Sequence, residues 1–230
     1  MLRSLELGPS QIADRVLSAG GAPRLPGRAG TIARGALGFT VVSVAGFCPW
    51  AIWGRSLQAA VGELGMYLAC LIVFLALSGP LLHRLILGPG ALGRFYKLFG
   101  AAFLVYSVAW IAAWMGLRGH LGSVVGLLLG SVAMAAMFTG AFDAREVFFP
   151  VAGALFGLNA IGYFGGGGVE AWIVSAKPLS HGAWEVSKRV EVRTAMLMWG
   201  VCYGLGFGGG LGFAFHLCQE KARALIARRP

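Results

Sequence analysis

The four histidines are the side chains best suited to chemistry in this sequence: His83 and His216 map to one predicted side of the membrane, and His120 and His181 map to the other. A transmembrane haem held by two histidines needs imidazoles that face each other at similar depth. Only the pairs His83 with His216 and His120 with His181 meet that condition. Polar groups at the membrane interface are the simpler interpretation, so we expect no bound cofactor.

Two glycine-rich segments resemble nucleotide-binding motifs, and the catalytic and metal-binding motifs considered are absent from the sequence. "GPGALG" (88–93) fits a dinucleotide fingerprint but follows an apolar segment without a preceding strand, so we interpret it as a turn. "GGGG" (165–168) lacks the Lys-Ser/Thr of a phosphate loop, and we interpret it as a hinge where the fifth span ends. The sequence contains no HExxH, GxSxG or CxxC motif, so we assign no catalytic residue and no metal site.

Polar residues inside apolar segments are the remaining candidates, because ionisable groups in a bilayer are costly and therefore suggest a function. Glu63 lies about one turn into the second segment, where it can reach interfacial water or Arg55. Asn159 is the deepest strongly polar residue, and either bonds a neighbouring helix or lines a pore. Together with His216, these residues form the candidate pore or polar site. Their scarcity argues against proton-coupled transport.

The composition predicts the element that holds these residues. Hydrophobic residues make up 57% of the chain and charged residues 12%, whereas an average soluble domain has about a quarter of its residues charged. Several uncharged runs approach the roughly 20 residues that cross a bilayer as a helix. The sequence therefore predicts an all-α, polytopic membrane protein. The net charge is +10, and the basic residues responsible for it flank the apolar runs. This placement indicates contact with an anionic lipid surface and not with nucleic acid.

Six transmembrane helices are predicted in a membrane domain covering residues 35–218. Their approximate ranges are 35–53, 59–78, 98–117, 121–141, 147–164 and 195–216. We expect the second helix to kink or end near Pro80, because proline removes a backbone donor. Basic tails (1–34 and 219–230) flank the domain, and the outer loop 165–193 is the longest connection. Within the first tail, "SQIADRVLSAG" predicts a short amphipathic helix with Ile12, Val16 and Leu17 toward lipid.

The charge distribution predicts that both termini are cytoplasmic. Thirteen of the 19 Lys and Arg residues fall on the cytoplasmic side in this orientation, which satisfies the positive-inside rule. All seven tryptophans then lie at or near the outer interface: Trp50, Trp53, Trp110, Trp114, Trp172, Trp184 and Trp199. A bacterial inner membrane is the simplest location. The alternative is the mitochondrial inner membrane, because the Arg-rich N-terminus also resembles a transit peptide.

Glycine recurs at four-residue spacing in the second half of the chain. The rows are Gly122, Gly126 and Gly130 in span four, Gly153 and Gly157 in span five, and Gly200, Gly204, Gly208 and Gly212 in span six. Such rows let helix backbones approach closely within lipid. We therefore predict a tight bundle of spans four to six, whose smooth surfaces can also contact a second copy, another membrane protein or lipid.

Three functional hypotheses remain open at this stage. The first is a non-enzymatic membrane subunit or scaffold, which the glycine rows and the motif-poor interior favour. The second is a channel or permease for a small solute or ion, which Glu63 and Asn159 favour. The third is a membrane enzyme acting on lipid or quinone through the histidines, although no acid and base are paired in the sequence.

Overall fold

The computed structural model describes residues 5–20, 25–175 and 188–228. Within these ranges the chain is helical and contains no strand, as the composition predicts. The α-helices are α1 (Pro9–Ser18), α2 (Arg28–Leu82), α3 (Ala91–Leu117), α4 (Gly119–Ala141), α5 (Phe148–Ser175), α6 (Lys188–Cys218) and α7 (Glu220–Arg228). Short 3-10 turns at His83–Leu85 and Arg145–Val147 precede α3 and α5.

Helices α2 to α6 are the five described helices that are long and apolar enough to cross a membrane. The six predicted ranges fall within them except for Val147, which belongs to the 3-10 turn before α5, and α2 covers both the first range (35–53) and the second (59–78). The short loop expected between these two spans is helical instead. Helix α2 ends at Leu82, two residues after Pro80, as the proline predicts.

Helix α2 consists of two arms that meet at Gly62. Its 55 residues would extend about 80 Å as one straight helix, far more than the roughly 30 Å of a hydrocarbon core. Gly62 has φ 73° and ψ 177°, a conformation open essentially to glycine alone. The rings of Phe39 and Phe74 lie 5.7 Å apart between centroids. The first arm (28–61) and the second arm (63–82) therefore lie side by side.

The two described terminal helices close one end of this bundle, which we call the termini end. Helix α1 packs against α7, and Ile12 and Val16 of α1 are buried in protein. The predicted short helix is present, but its apolar face covers other helices instead of lipid. A helix of ten residues is only marginally stable by itself, so the packing of these side chains against other helices stabilises α1.

Ion pairs join the helices at the termini end. Arg28 contacts Glu220 at 3.4 Å, and Lys221 contacts Glu146 at 2.9 Å. The Glu146 carboxylate raises the pKa of Lys221, whereas burial lowers the pKa of Arg223. Exposed pairs of this kind each contribute little to stability. The basic residues of these pairs, Arg28 and Lys221, lie at the end that the sequence predicts to be cytoplasmic.

Aromatic side chains fill the interior next to the termini end. Seven phenylalanines are at most 1% exposed: Phe39, Phe95, Phe99, Phe138, Phe142, Phe207 and Phe215. Ring contacts connect neighbouring members of this set, such as Phe95 with Phe99 and Phe138 with Phe215. The opposite end, which we call the tryptophan end, contains Trp50, Trp110, Trp114 and Trp199, and there the helices separate around a cavity.

Candidate functional site: an aromatic cavity

The tryptophan end surrounds a cavity of about 810 Å³. Both arms of α2 and helices α3, α4, α5 and α6 contribute to its wall. Twelve of the 23 described residues that line it are aromatic: Phe47, Trp50, Tyr67, Phe74, Phe103, Tyr106, Trp110, Trp114, Tyr163, Phe164, Trp199 and Tyr203. A cavity of this size and lining matches the small-molecule sites of proteins, which are concave and mainly apolar with a few polar groups.

Helix α3 supplies its share of the lining because its aromatic residues recur every three or four positions. This spacing places them along one face of a helix. Phe103, Tyr106, Trp110 and Trp114 line the cavity, while Phe95 and Phe99 continue the row into the closed interior. The Trp110 and Trp114 rings are parallel, with centroids 5.9 Å apart. One face of α3 thus forms part of the cavity wall and part of the packed interior next to the termini end.

Glycines of α4 face the backbone of α3 behind these rings. A Cβ atom placed on Gly126 would lie 2.9 Å from the Trp110 Cα, and one placed on Gly122 would lie 3.2 Å from the Trp114 Cα. At Gly130 the same atom would lie 2.5 Å from the Tyr106 ring. The glycine row therefore lies at the point of closest approach between α3 and α4.

The glycine row of α6 faces the first arm of α2. Cβ atoms placed on Gly204, Gly208 and Gly212 would lie 2.5–2.7 Å from Thr40 Cα, Phe39 Cβ and Ile32 Cα respectively. Gly200 approaches Phe47 in the same way, and Gly206, outside the row, approaches Gly162 of α5.

The predicted tight bundle of spans four to six therefore omits two of the main packing partners, the first arm of α2 and helix α3. Helix α6 packs on α5, but it also packs extensively on the first arm, and the main partner of α4 is α3. The four-residue spacing shows where small residues lie on a helix but does not identify the neighbouring helix. In α5, no described atom lies within 4 Å of a Cβ placed on Gly153 or Gly157. A packing role for these two glycines stays a prediction.

The floor of the cavity contains a buried polar cluster. Asn159 Nδ2 donates to Tyr106 Oη at 2.9 Å, and Tyr203 Oη donates to the same oxygen at 3.4 Å. Asn159 is fully buried, and its Oδ1 atom has no partner among the described residues. Tyr106 and Tyr203 also line the cavity. Of the two predicted alternatives for Asn159, the structure shows the bond to a neighbouring helix.

Charged and titratable groups lie around the tryptophan end. Glu63 accepts hydrogen bonds from Arg118 at 3.3 Å and Tyr67 at 3.1 Å, so its partner is Arg118 and not the predicted Arg55. The fold at Gly62 explains this difference, since it brings the second arm beside the end of α3. Glu170 and His120 line the cavity itself.

The three residues of the predicted polar site do not come together. Glu63 lies at the tryptophan end, whereas Asn159 is in the buried cluster. His216 lies near the termini end, where its Nδ1 is 3.5 Å from Thr31 Oγ1. No single pore wall includes all three.

In one of the two predicted pairs, the ring nitrogens of His83 and His216 each contact an oxygen of another residue. His83 Nδ1 contacts the Gly79 carbonyl oxygen at 3.0 Å, and His181 is outside the described residues. The described part of the chain contains no cluster of three His, Cys, Asp or Glu side chains that would hold a metal.

The predicted hinge at 165–168 is wrong, because these glycines are helical and α5 continues to Ser175. A Cβ atom placed on Gly166 would lie 2.7 Å from the Trp199 ring, so the missing side chain admits a tryptophan from α6. Trp199 Nε1 also donates to the Tyr163 carbonyl oxygen at 3.0 Å. The predicted loop 165–193 is shorter at both ends, since α6 begins at Lys188; its middle part, 176–187, lies outside the described residues.

Sequence reasoning missed Tyr67, Tyr163, Glu170 and Tyr203 as site residues. The aromatic spacing in α3, and that of Trp199, Tyr203 and Phe207 in α6, was the available signal. Comparisons of the chain with protein-family profiles, with curated proteins and with solved structures find no match.

Proposed function

We propose that this chain is a six-span membrane protein that binds a small, mainly apolar molecule in the aromatic cavity. The observation that carries the proposal is the cavity itself, with its volume of about 810 Å³ and its twelve aromatic lining residues. Ligand sites between the helices of bundles commonly have this size and chemistry. The close helix packing predicted from the glycine rows serves as the frame of the cavity.

Two features support six crossings with both termini in the cytoplasm. Helix α1 packs on α7, so the two ends of the described chain lie on one side, which requires an even number of crossings. The two arms of α2 provide the sixth crossing. Basic residues collect at the termini end and tryptophans at the other, as the positive-inside rule and interfacial aromatic belts favour. A bacterial inner membrane, with the cavity facing outward, satisfies this arrangement.

The closed interior favours binding over free permeation. Below Tyr106 and Tyr203 the bundle contains Phe39, Phe103 and Phe207, whose rings contact one another. A permease of this fold would need its aromatic floor to separate during each cycle.

The proposal is tested by filling the cavity. Ser107 lines it, whereas Val108 on the same helix is 59% exposed on the outside of the bundle. Each variant, Ser107→Phe and Val108→Phe, is purified in lipid nanodiscs beside the wild type, and co-purifying small molecules are identified by mass spectrometry. We expect a compound that Val108→Phe retains and Ser107→Phe loses. Identical sets from all three proteins would contradict small-molecule binding in the cavity.

A second candidate function is that of a membrane subunit that associates through α5. Phe149 and Ile161 are 82% and 70% exposed, and Gly153 and Gly157 lie between them without close neighbours among the described residues. This face fits a helix of a second copy. Cross-linking in native membranes should yield a dimer that Gly157→Leu weakens. A cross-linked product containing a different protein, or no product, would argue against self-association.

A further inference from the structure

The described residues that line the cavity include one carboxylate and no Lys or Arg side chain. Within the described lining, Glu170 is the only acidic residue, and His120 is the only other residue with a side chain that ionises near neutral pH. The chain as a whole has 19 Lys and Arg residues and a net charge of +10. The cavity therefore differs in the sign of its charge from the rest of the molecule.

Glu170 has no ion pair or hydrogen-bond partner among the described residues, although Glu6, Glu63, Glu146, Glu191 and Glu220 each have a cationic partner. It is half-buried and follows the glycines that approach Trp199. An unpaired carboxylate at the edge of an apolar cavity is costly. A bound cation would relieve that cost.

The rest of the lining is suited to an organic cation rather than a metal ion. Four of the chain's seven tryptophans line the cavity, and the faces of Trp and Tyr rings attract alkylammonium groups through cation–π interactions. Metal ions such as Mg²⁺ and Ca²⁺ need several oxygen ligands, but the described lining supplies one carboxylate, that of Glu170. The volume of about 810 Å³ also exceeds what a metal ion occupies.

From these observations we infer that the cavity binds an alkylated ammonium group, with Glu170 as its counter-charge and the tryptophan rings as its cage. This inference rests on the proposed function and specifies its ligand class. The ammonium group is either that of a free small molecule or that of a choline lipid headgroup. An anion is repelled by Glu170, and a neutral apolar compound fills the volume but leaves the carboxylate unpaired.

The test compares choline with 3,3-dimethylbutan-1-ol, which has the same shape but no charge. Wild-type protein in nanodiscs of phosphatidylethanolamine and phosphatidylglycerol is titrated with each compound, and binding is followed by tryptophan fluorescence and calorimetry. We expect choline to bind at least about tenfold more tightly than the alcohol. Glu170→Gln should remove this difference by weakening choline binding alone.

Two further variants separate the role of Glu170 from general damage. Glu191→Gln makes the same charge change outside the cavity, next to Lys188, and should leave choline binding unchanged. Trp110→Leu removes a ring of the cage and should weaken choline binding more than binding of the alcohol. If Glu170→Gln does not fold, Glu170→Asp keeps the charge and should retain the preference for choline.

The source of the group is tested by adding phosphatidylcholine to the nanodiscs. Competition with choline identifies a lipid headgroup as the occupant, and absence of competition identifies a free cation; both outcomes support the inference. Equal binding of choline and the alcohol, or choline binding unaffected by Glu170→Gln, overturns it. Failure of choline to bind while Ser107→Phe still loses a co-purified compound overturns the cation class and leaves the proposed function intact.

Discussion

At the scale of single residues, two buried amide side chains differ in how fully their hydrogen bonds are satisfied. Gln219 Nε2 donates to the carbonyl oxygens of Leu85 and Phe215 at 2.8 and 2.7 Å, and its Oε1 accepts from the Leu87 N–H at 2.8 Å. The Asn159 side chain makes one hydrogen bond, and its Oδ1 has no partner among the residues that the structure describes. Gln219 thus connects the turn after α2 to the end of α6, whereas Asn159 lies beside the cavity floor.

We expect Gln219→Leu to destabilise the fold by about 3 kcal/mol, because it removes three bonds and leaves the Leu87 N–H and the Leu85 carbonyl without this partner. The measurement is the midpoint of unfolding in detergent, followed by circular dichroism. Gln58→Leu is the matched control, since Gln58 is exposed at the other end of the bundle. Equal midpoints for the two variants would contradict a structural role for Gln219.

At the scale of helices, α6 packs closely on both the first arm of α2 and on α5. One of its sides faces the first arm through Gly200, Gly204, Gly208 and Gly212, and another faces α5 through Gly206. Its ring of Trp199 stacks on Tyr203 with centroids 5.5 Å apart, which brings the same helix to the cavity wall. Small residues therefore hold the backbone close to its neighbours while aromatic residues on the same helix line the site.

We predict that Gly204→Leu prevents normal folding, because a Cβ there would lie 2.5 Å from the Thr40 Cα, a backbone atom that cannot move alone. Gly153→Leu makes the same substitution where no described atom lies within 4 Å, and it should fold normally. Fluorescence-detected size exclusion and thermal melting report both results. Similar losses of folded protein in the two variants would show that helix propensity, not close packing, determines the effect.

At the scale of the whole molecule, the bundle has two chemically different ends. Phenylalanines and cross-helix ion pairs close the termini end, whereas tryptophans, tyrosines and Glu170 surround a cavity at the other. The fold at Gly62 puts Glu63 and Tyr67 at the tryptophan end as well. In the function we propose, the cavity faces one side of the membrane and the packed termini end faces the other.

The proposed topology predicts which positions a membrane-impermeant maleimide can reach. In a background without Cys48, Cys70, Cys202 and Cys218, we expect Ser56→Cys to react in intact cells and Ser10→Cys to react only after permeabilisation. Both serines are exposed in the structure and lie at opposite ends of the bundle. Labelling of Ser10→Cys from outside would reverse the orientation, and labelling of both from outside would contradict six crossings.

The pattern of apolar runs was sufficient to predict an all-helical chain and the positions of its long apolar segments, since these depend on local composition and length. The Pro80 boundary was predictable for the same reason: a proline acts on its own helix. Local signals failed at "GGGG" (165–168), which continues α5 because Trp199 of another helix occupies the space beside Gly166.

Pairing between helices was decided only by the tertiary structure. Four-residue glycine spacing predicts a smooth ridge, but the opposite surface on the partner helix comes from residues distant in sequence, such as Thr40 for Gly204 and Trp110 for Gly126. The cavity likewise requires six segments at one end, and no single segment contains enough of its lining to predict it. Composition and periodicity are local properties of a segment, so the sequence by itself determines which segments form long apolar helices. The site depends on contacts between helices, and these exist only once the bundle has packed.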